Sequence, residues 1–167
     1  GMLEAEILRM GEGAYDLSEM FIVRNAYSDK AGKYVRLHGN LNMAGGGGFS
    51  DDIYVLDKYG LVPEKVYSGK VIGEDKHVHG EMDAVFKAYT DAVIKNKNKK
   101  LTPVWHDGFE GLLDTYLGNY PETFIYEGKE YSPKSFAASL GLDADDYIEI
   151  TSYSHVPFYE PFIMQIP

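Results

Sequence analysis

Four consecutive glycines, Gly45 to Gly48, are the residues of this chain best suited to contact another molecule through the main chain. Glycine has no Cβ and reaches backbone conformations closed to other residues, so a partner can come close to its N–H and C=O groups. Phe49 follows the run directly, and an apolar pattern then continues to Gly60. The run has two interpretations: a backbone-binding loop at the foot of a helix, or a flexible surface loop before an ordinary helix.

The helix that follows the glycines has recognisable ends. Ser50 or Asp51 is expected to cap its start, because the first N–H groups of a helix lack internal partners. Gly60 suits the left-handed position after the last turn, and Pro63 prevents continuation. Ile53, Leu56 and Tyr59 have helical spacing, and Val55 widens the apolar face that they form.

Composition restricts the chemistry that this chain can perform. Its 167 residues include no cysteine, which excludes a disulfide framework, a thiolate metal site and a cysteine nucleophile within the chain. The net charge of −10 argues against a nucleic-acid partner, since phosphate binding needs a concentrated basic surface. No apolar run approaches the ~20 residues of a membrane span, so no membrane partner is expected.

Two histidine patterns could carry chemistry, and each has a simpler interpretation. His77 and His79 with Glu81 invite a zinc site, but such a site needs a third ligand and a fixed second shell, so a polar loop is favoured. His106 beside Asp107 suggests a general base. Neighbouring residues on a helix do not face each other, however, so catalysis at this position is not favoured.

The acidic run Asp143, Asp145 and Asp146 lacks the glycine and the distal glutamate of a calcium-binding EF-hand loop. Turn and capping roles are favoured for it. His155 lies in an aromatic tail, where a packing role is favoured. We therefore expect no catalytic residue, no metal ligand and no cofactor in this chain.

The apolar pattern and the turn residues predict a mainly α chain, of α+β type, with a small β component in the C-terminal third. Helices are expected at 3–10, from 16 to about 38 with a break near Gly32, before Gly60, at 81–95, from Thr102-Pro103 to 117, and at 132–140. A hairpin is expected over 123–131 around Glu127-Gly128, and a strand over 146–153. Residues 61–76 are expected to be extended or irregular.

Several segments together resemble the papain-like cysteine peptidases, in the branch of bleomycin hydrolase and bacterial aminopeptidase C. Asp16-Leu17-Ser18-Glu19 is similar to the segment that follows the nucleophile helix. Gly46-Gly47, with Phe49 and the later run KYGLVP (58–63), is similar to the segment that binds the substrate backbone. The runs LGNYPETF (117–124) and YSPKSF (131–136) also resemble this branch, so the resemblance covers nearly the whole chain.

The resemblance implies a single domain, 1–167, with part of the helical lobe in 1–75 and a helical insertion and return segment in 76–167. It implies that Gly46, Gly47 and Phe49 bind peptide substrate, although Gly48 and Phe49 replace a polar residue and a Trp of the family. The family's Cys, His and Asn match no residue here, so a segment of a thiol-dependent aminopeptidase, inactive alone and able to form homo-oligomers, is expected. The alternative is a non-catalytic, acidic, tyrosine-rich module that binds another protein.

Overall fold

The computed structural model describes residues 1–73, 75–150 and 155–162. In these residues the chain forms six α-helices, one β-hairpin and one short 3-10 helix, so the predicted mainly α fold with a small C-terminal β component is confirmed. The elements are α1 (Met2–Met10), α2 (Glu19–Arg36), α3 (Phe49–Lys58), α4 (Gly80–Ile94), α5 (Trp105–Leu117), β1 (Phe124–Tyr126), β2 (Lys129–Tyr131), α6 (Pro133–Ser139) and the 3-10 helix Ala144–Asp146. None of the described helices is long and apolar enough to cross a membrane.

Helix α2 is the central element, and it packs against α3, α4 and α5. Ser18 is its N-cap, and the Ser18 hydroxyl accepts a hydrogen bond from the N–H of Phe21 at 3.0 Å. The helix runs through Gly32 without the expected break. Ala31 and Tyr34, on either side of Gly32, are buried, and their packing offsets the low helix propensity of glycine.

The buried apolar side chains form one cluster, and Phe86 of α4 lies where three helices meet. Its ring is fully buried and its centroid lies 5.2 Å from that of Tyr27 in α2. The rings of Phe109 and Tyr116 in α5 lie 5.0 and 5.9 Å away. Burial of one such side chain contributes about 1.5–3 kcal/mol, so these aromatic contacts hold α2, α4 and α5 together.

The end of α3 touches the start of α6. Gly60 follows the helix with φ +87°, as its predicted left-handed position requires. The N–H of Leu61 donates to the carbonyl oxygen of Pro133 at 3.1 Å. A Cβ at position 60 would lie 2.3 Å from the same carbonyl oxygen, so only glycine allows this approach.

The hairpin follows its prediction. Strands β1 and β2 pair in antiparallel register, with Phe124 opposite Tyr131. Glu127 and Gly128 form the two-residue turn with φ values of +50° and +80°, as the hairpin turn demands. On one side of the hairpin lies the buried ring of Phe136 in α6. Four rings surround it at centroid distances of 5.4 to 6.1 Å: Tyr15, Phe124, Tyr126 and Tyr131.

The predicted start of α5 and the predicted strand at 146–153 are wrong. Helix α5 begins at Trp105 with Val104 as its N-cap, and not at Thr102-Pro103. The hydroxyl of Tyr89 in α4 donates to the carbonyl oxygen of Trp105 at 2.8 Å, so packing against α4 sets the first turn. The expected strand at 146–153 is replaced by the 3-10 helix and by irregular backbone at 147–150. Residues 151–154 of that prediction lie outside the described part.

The segment after α3 is irregular where it is described, as expected for 61–76, but it is fastened to the start of α2. The N–H of Ser18 donates to Val62 at 3.0 Å, and the N–H of Glu64 donates to Asp16 at 2.9 Å. The Ser18 hydroxyl also donates to the carbonyl oxygen of Tyr67. These bonds bring the entry of α2 and the exit of α3 together.

Candidate functional site

The glycine run lies on the surface, between the buried side chain of Met43 and the start of α3. Gly46 has φ +96°, and apart from Gly46 and its two chain neighbours no described residue has an atom within 4 Å of the point where its Cβ would be. Within residues 1–73, 75–150 and 155–162, neither the N–H of Gly46 nor that of Gly47 has a hydrogen-bond partner. Two main-chain donors are therefore open to another molecule.

Lys30 of α2 holds the carbonyl side of this loop. Its Nζ atom donates to the carbonyl oxygens of Ala44 and Gly46, at 3.1 and 3.0 Å. The same Nζ lies 5.5 Å from the centre of the Tyr27 ring, which adds a cation–π contact. This contact could not be predicted from the sequence, since no local pattern links a helical lysine to a loop that begins 14 residues later.

The helix that follows the glycines is capped differently from the prediction. Gly48, rather than Ser50 or Asp51, is the N-cap of α3. Asp51 stands three residues further on, and its Oδ2 accepts from the N–H of Gly48 at 2.9 Å. A Cβ at Gly47 would lie 2.6 Å from that Oδ2. Glycine at position 47 therefore leaves room for the carboxylate that orders the start of the helix.

The other end of the loop lies beside α4. A Cβ at Gly45 would be 3.3 Å from the Tyr27 hydroxyl and 3.6 Å from Oδ2 of Asp83. The Tyr27 hydroxyl donates to Oδ1 of Asp83 at 2.6 Å. Burial, helped by this bond and by the Asp83 charge, raises the pKa of Tyr27 well above its usual value. The Tyr27 hydroxyl thus stays protonated at neutral pH and donates to Asp83 beside the glycine loop.

Phe49 opens α3 directly after the glycines and is half-buried. Its ring meets that of Tyr147 nearly edge to face, with centroids 6.0 Å apart and an angle of 69°. Burial, and then the charge of Asp51, raise the pKa of the neighbouring Asp52. Gly46, Gly47 and Phe49 are therefore adjacent at one helix start, with apolar and acidic groups around them.

The histidine pair His77 and His79 lies before α4, with ring centroids 5.6 Å apart. In the described part of the chain, no group of three or more His, Cys, Asp or Glu side chains is arranged to hold a metal ion. Burial, followed by the charge of Lys70, lowers the pKa of His77. The surroundings of His77 therefore disfavour its charged form.

His106 contacts a serine that the sequence analysis did not associate with it. Its Nε2 lies 3.4 Å from the hydroxyl of Ser28 and 3.2 Å from the Ser28 carbonyl oxygen. The Ser28 hydroxyl donates to Glu110. Ser28 is buried inside α2, so a substrate cannot reach its hydroxyl. This serine, histidine and glutamate therefore join α2 to α5 and do not form an accessible nucleophile site.

The buried charge of Arg24 lies in α2, one helical turn before Ser28. Nη1 of Arg24 is 3.0 Å from Oε2 of Glu110, and Nη2 is 2.5 Å from Oδ1 of Asp114. The Arg24 side chain is only 4% exposed, and its guanidinium lies 5.3 Å from the centre of the Tyr120 ring. The guanidinium is matched by carboxylates of α5, which gives it a structural role between the two helices.

The chain has a distant structural similarity to a known protein. No protein-family model matches the chain, and no curated protein sequence matches it. A solved structure, that of PepW from Lactobacillus rhamnosis HN001, is similar to it at 17% sequence identity with a TM-score of 0.47. The match covers 79% of this chain and 38% of the PepW chain, so the likeness is distant and concerns a part of that protein.

Proposed function

We propose that this chain is a segment of a thiol-dependent aminopeptidase related to papain, and that its glycine loop binds the backbone of a peptide substrate. The sequence segments around Gly46-Gly47 and at 58–63 support the family relationship through their resemblance to the bleomycin hydrolase branch. The observation that carries the proposed binding role is the exposed loop at 45–48, where the N–H groups of Gly46 and Gly47 have no partner among the described residues.

An extended peptide would lie along the loop and form main-chain hydrogen bonds with it. Each such bond contributes about 0.5–1.5 kcal/mol net, so two bonds alone give weak binding. Phe49 would add apolar contact beside them. Side-chain selectivity would then depend on other surfaces of the complete enzyme.

Hydrolysis needs groups that this chain does not contain. In this type of peptidase a cysteine thiolate is activated by an imidazole, which an amide side chain orients. The chain has no cysteine, so the thiol would come from polypeptide outside these residues. Under this proposal, 1–75 belongs to the helical lobe and 76–167 to an insertion and return segment. The position of Asp83 in α4 next to Gly45 supports an insertion that borders the binding loop.

Nuclear magnetic resonance tests the binding role on the full 167-residue chain. We expect N-acetyl-trialanine amide to shift the amide signals of Gly46, Gly47 and Phe49 in a saturable way. Gly46→Val should weaken this binding, because position 46 has φ +96° and valine strains it. Gly11→Val is the matched control, since Gly11 has φ +85°, is equally open, and lies after α1.

The two variants separate binding from stability. Both should lose similar folding free energy, roughly 1–3 kcal/mol for a strained residue, but only Gly46→Val should lose peptide binding. If the peptide shifts no signal in the loop of the wild-type chain, or if Gly11→Val weakens binding as much, the proposed role is wrong. Phe49→Ala should reduce the affinity, while the amide signals of Gly46 and Gly47 should still shift when the peptide is added.

The exposed apolar side chains near the C-terminal end favour the second candidate, a module that binds another protein. Ile148 and Ile150 are 88% and 92% exposed, and Phe158 is 66% exposed. Such residues in one segment are typical of a surface that another molecule covers. Light scattering over a range of concentrations separates the two candidates. A rise in mass that Ile148→Lys abolishes would assign this surface to contact between copies of the chain, as expected for the peptidase segment, and would contradict the module. A constant monomer mass would support the module.

A further inference from the structure

We infer that Lys30 is the positioning residue of the glycine loop, because it turns the peptide unit between Gly46 and Gly47 so that the Gly47 N–H faces away from α2. The link to substrate rests on the proposed function. The orientation itself is a property of the free chain and can be measured without a ligand.

The direction of the Gly47 N–H follows from the geometry of the peptide unit between Gly46 and Gly47. The described backbone contains no cis peptide bond, so the 46–47 unit is trans and planar. In a trans unit the carbonyl oxygen of Gly46 and the N–H of Gly47 point in opposite directions. The Gly46 oxygen accepts from Nζ of Lys30 at 3.0 Å. The Gly47 N–H must therefore point away from Lys30.

A second bond from the same ammonium strengthens the constraint. Nζ of Lys30 also donates to the Ala44 oxygen at 3.1 Å, so one charge holds two carbonyls on the same side of the loop. At the far end Asp51 holds the N–H of Gly48 at 2.9 Å. The loop is thus held at the Gly46 carbonyl and at the Gly48 N–H. The N–H of Gly47 lies between these two bonds and points outward.

The ammonium is needed because glycines do not hold a conformation by themselves. Glycine loses more conformational freedom on ordering than any other residue, so four in a row need an external restraint. Lysine provides several donors at a single point, which suits two converging carbonyls. Arginine keeps the charge and the donors, whereas methionine keeps the length of the side chain and loses both.

The experiment compares Lys30→Met, Lys30→Arg and the control Lys33→Met. Lys33 lies on the same helix and contacts the ring of Tyr54 instead of the glycine loop. The first readout is the residual dipolar coupling of the Gly47 N–H in the free chain. We expect it to fall toward zero in Lys30→Met while the couplings of α2 stay unchanged. Lys30→Arg and Lys33→Met should keep a value near that of the wild type.

The second readout is the dissociation constant for N-acetyl-trialanine amide. Lys30→Met should weaken binding about 3- to 10-fold, the range expected when one main-chain hydrogen bond loses its orientation. Lys30→Arg should restore most of the affinity, and Lys33→Met should leave it unchanged. A variant that only lowered stability would leave the Gly47 coupling and the affinity of the folded chain unchanged.

The outcomes distinguish the two proposals. If the wild-type chain does not bind the peptide, the proposed function fails, and the dipolar coupling still decides whether Lys30 orients the loop. If Lys30→Met leaves the Gly47 coupling unchanged, the inference about Lys30 is overturned even when peptide binds. If the coupling changes and the affinity does not, the Gly47 N–H is not the donor to the peptide, and the positioning role is overturned.

Discussion

Nη2 of Arg24 lies 2.5 Å from Oδ1 of Asp114 and joins α2 to α5 through a charge that is almost fully buried. Burial works against the charged form, but the hydrogen bond to Asp114 and the charges of Glu110 and Asp114 still raise the pKa of Arg24. The pair is therefore a fixed feature of the core at every pH at which the carboxylates are ionised. Loss of this ion pair should therefore lower the free energy of unfolding.

Arg24→Met is expected to lower the free energy of unfolding by about 2–3 kcal/mol. Removal of one partner of a buried pair leaves the other charges uncompensated, and the partial exposure of both carboxylates moderates the cost. Urea unfolding gives the value. Arg9→Met is the control, since Arg9 is 71% exposed and pairs with Glu6 on the same helix. Equal midpoints for the two variants would contradict the structural role of Arg24.

Gly60→Ala and Gly111→Ala should change stability in opposite directions. At Gly60 a methyl group would meet the backbone of Pro133 at 2.3 Å, and φ is +87°. Strain and overpacking together should cost at least about 2 kcal/mol. Gly111 lies within α5 with nothing near its Cβ position, so alanine should add about 0.5–1 kcal/mol. Thermal unfolding of both variants checks this, and a stable Gly60→Ala protein would refute the contact between α3 and α6.

Asp91 should titrate with a pKa of about 2 instead of the usual 3.8, chiefly because of its hydrogen bonds with Lys87 and Tyr34. A pKa that is lower in the folded chain contributes stability that is complete above about pH 4. That contribution is lost as the pH falls through 2. The stability difference between wild type and Asp91→Asn should therefore shrink from pH 4 to pH 2. The carboxyl carbon signal of Asp91 reports the pKa directly, and a midpoint near 3.8 would contradict this prediction.

The purified chain should hydrolyse no aminoacyl-coumarin substrate, because it contains no thiol that could act as the nucleophile. Fluorescence with and without iodoacetamide measures this. Activity that survives iodoacetamide would indicate a metal or serine mechanism and would contradict the proposed function. Activity that iodoacetamide abolishes would belong to a contaminating enzyme, since the chain has no cysteine for the reagent to modify.

Elements set by local chemistry could be predicted from the sequence. Glu127-Gly128 predicts a tight turn because its backbone angles favour glycine. The helix expected from 16 begins close to that position, after Ser18, whose hydroxyl accepts a main-chain hydrogen bond. Where tertiary contacts decide, the prediction fails. The Tyr89–Trp105 bond moves the start of α5, and packing carries α2 through Gly32.

In the candidate site, too, neighbours in the chain could be predicted and contacts between helices could not. Gly46, Gly47 and Phe49 are neighbours in the chain, so their adjacency follows from the sequence. The contacts of Lys30 and Asp83 with the loop depend on how α2 and α4 pack, and no spacing rule predicts them. Position 47 is predictable only in part. The resemblance implies that Gly47 binds substrate, but its closeness to the Asp51 carboxylate is visible only in the fold.

The ring cluster around Phe136 determines how the C-terminal half unfolds locally. Strands of three residues do not persist alone, so the hairpin depends on the aromatic rings gathered around that one side chain. Tyr15 belongs to the same group of rings and lies far earlier in the chain. The hairpin, the short helix and the approach to α2 should therefore exchange their amide hydrogens as one cooperative unit, and damage at Phe136 should speed exchange in a segment more than a hundred residues upstream.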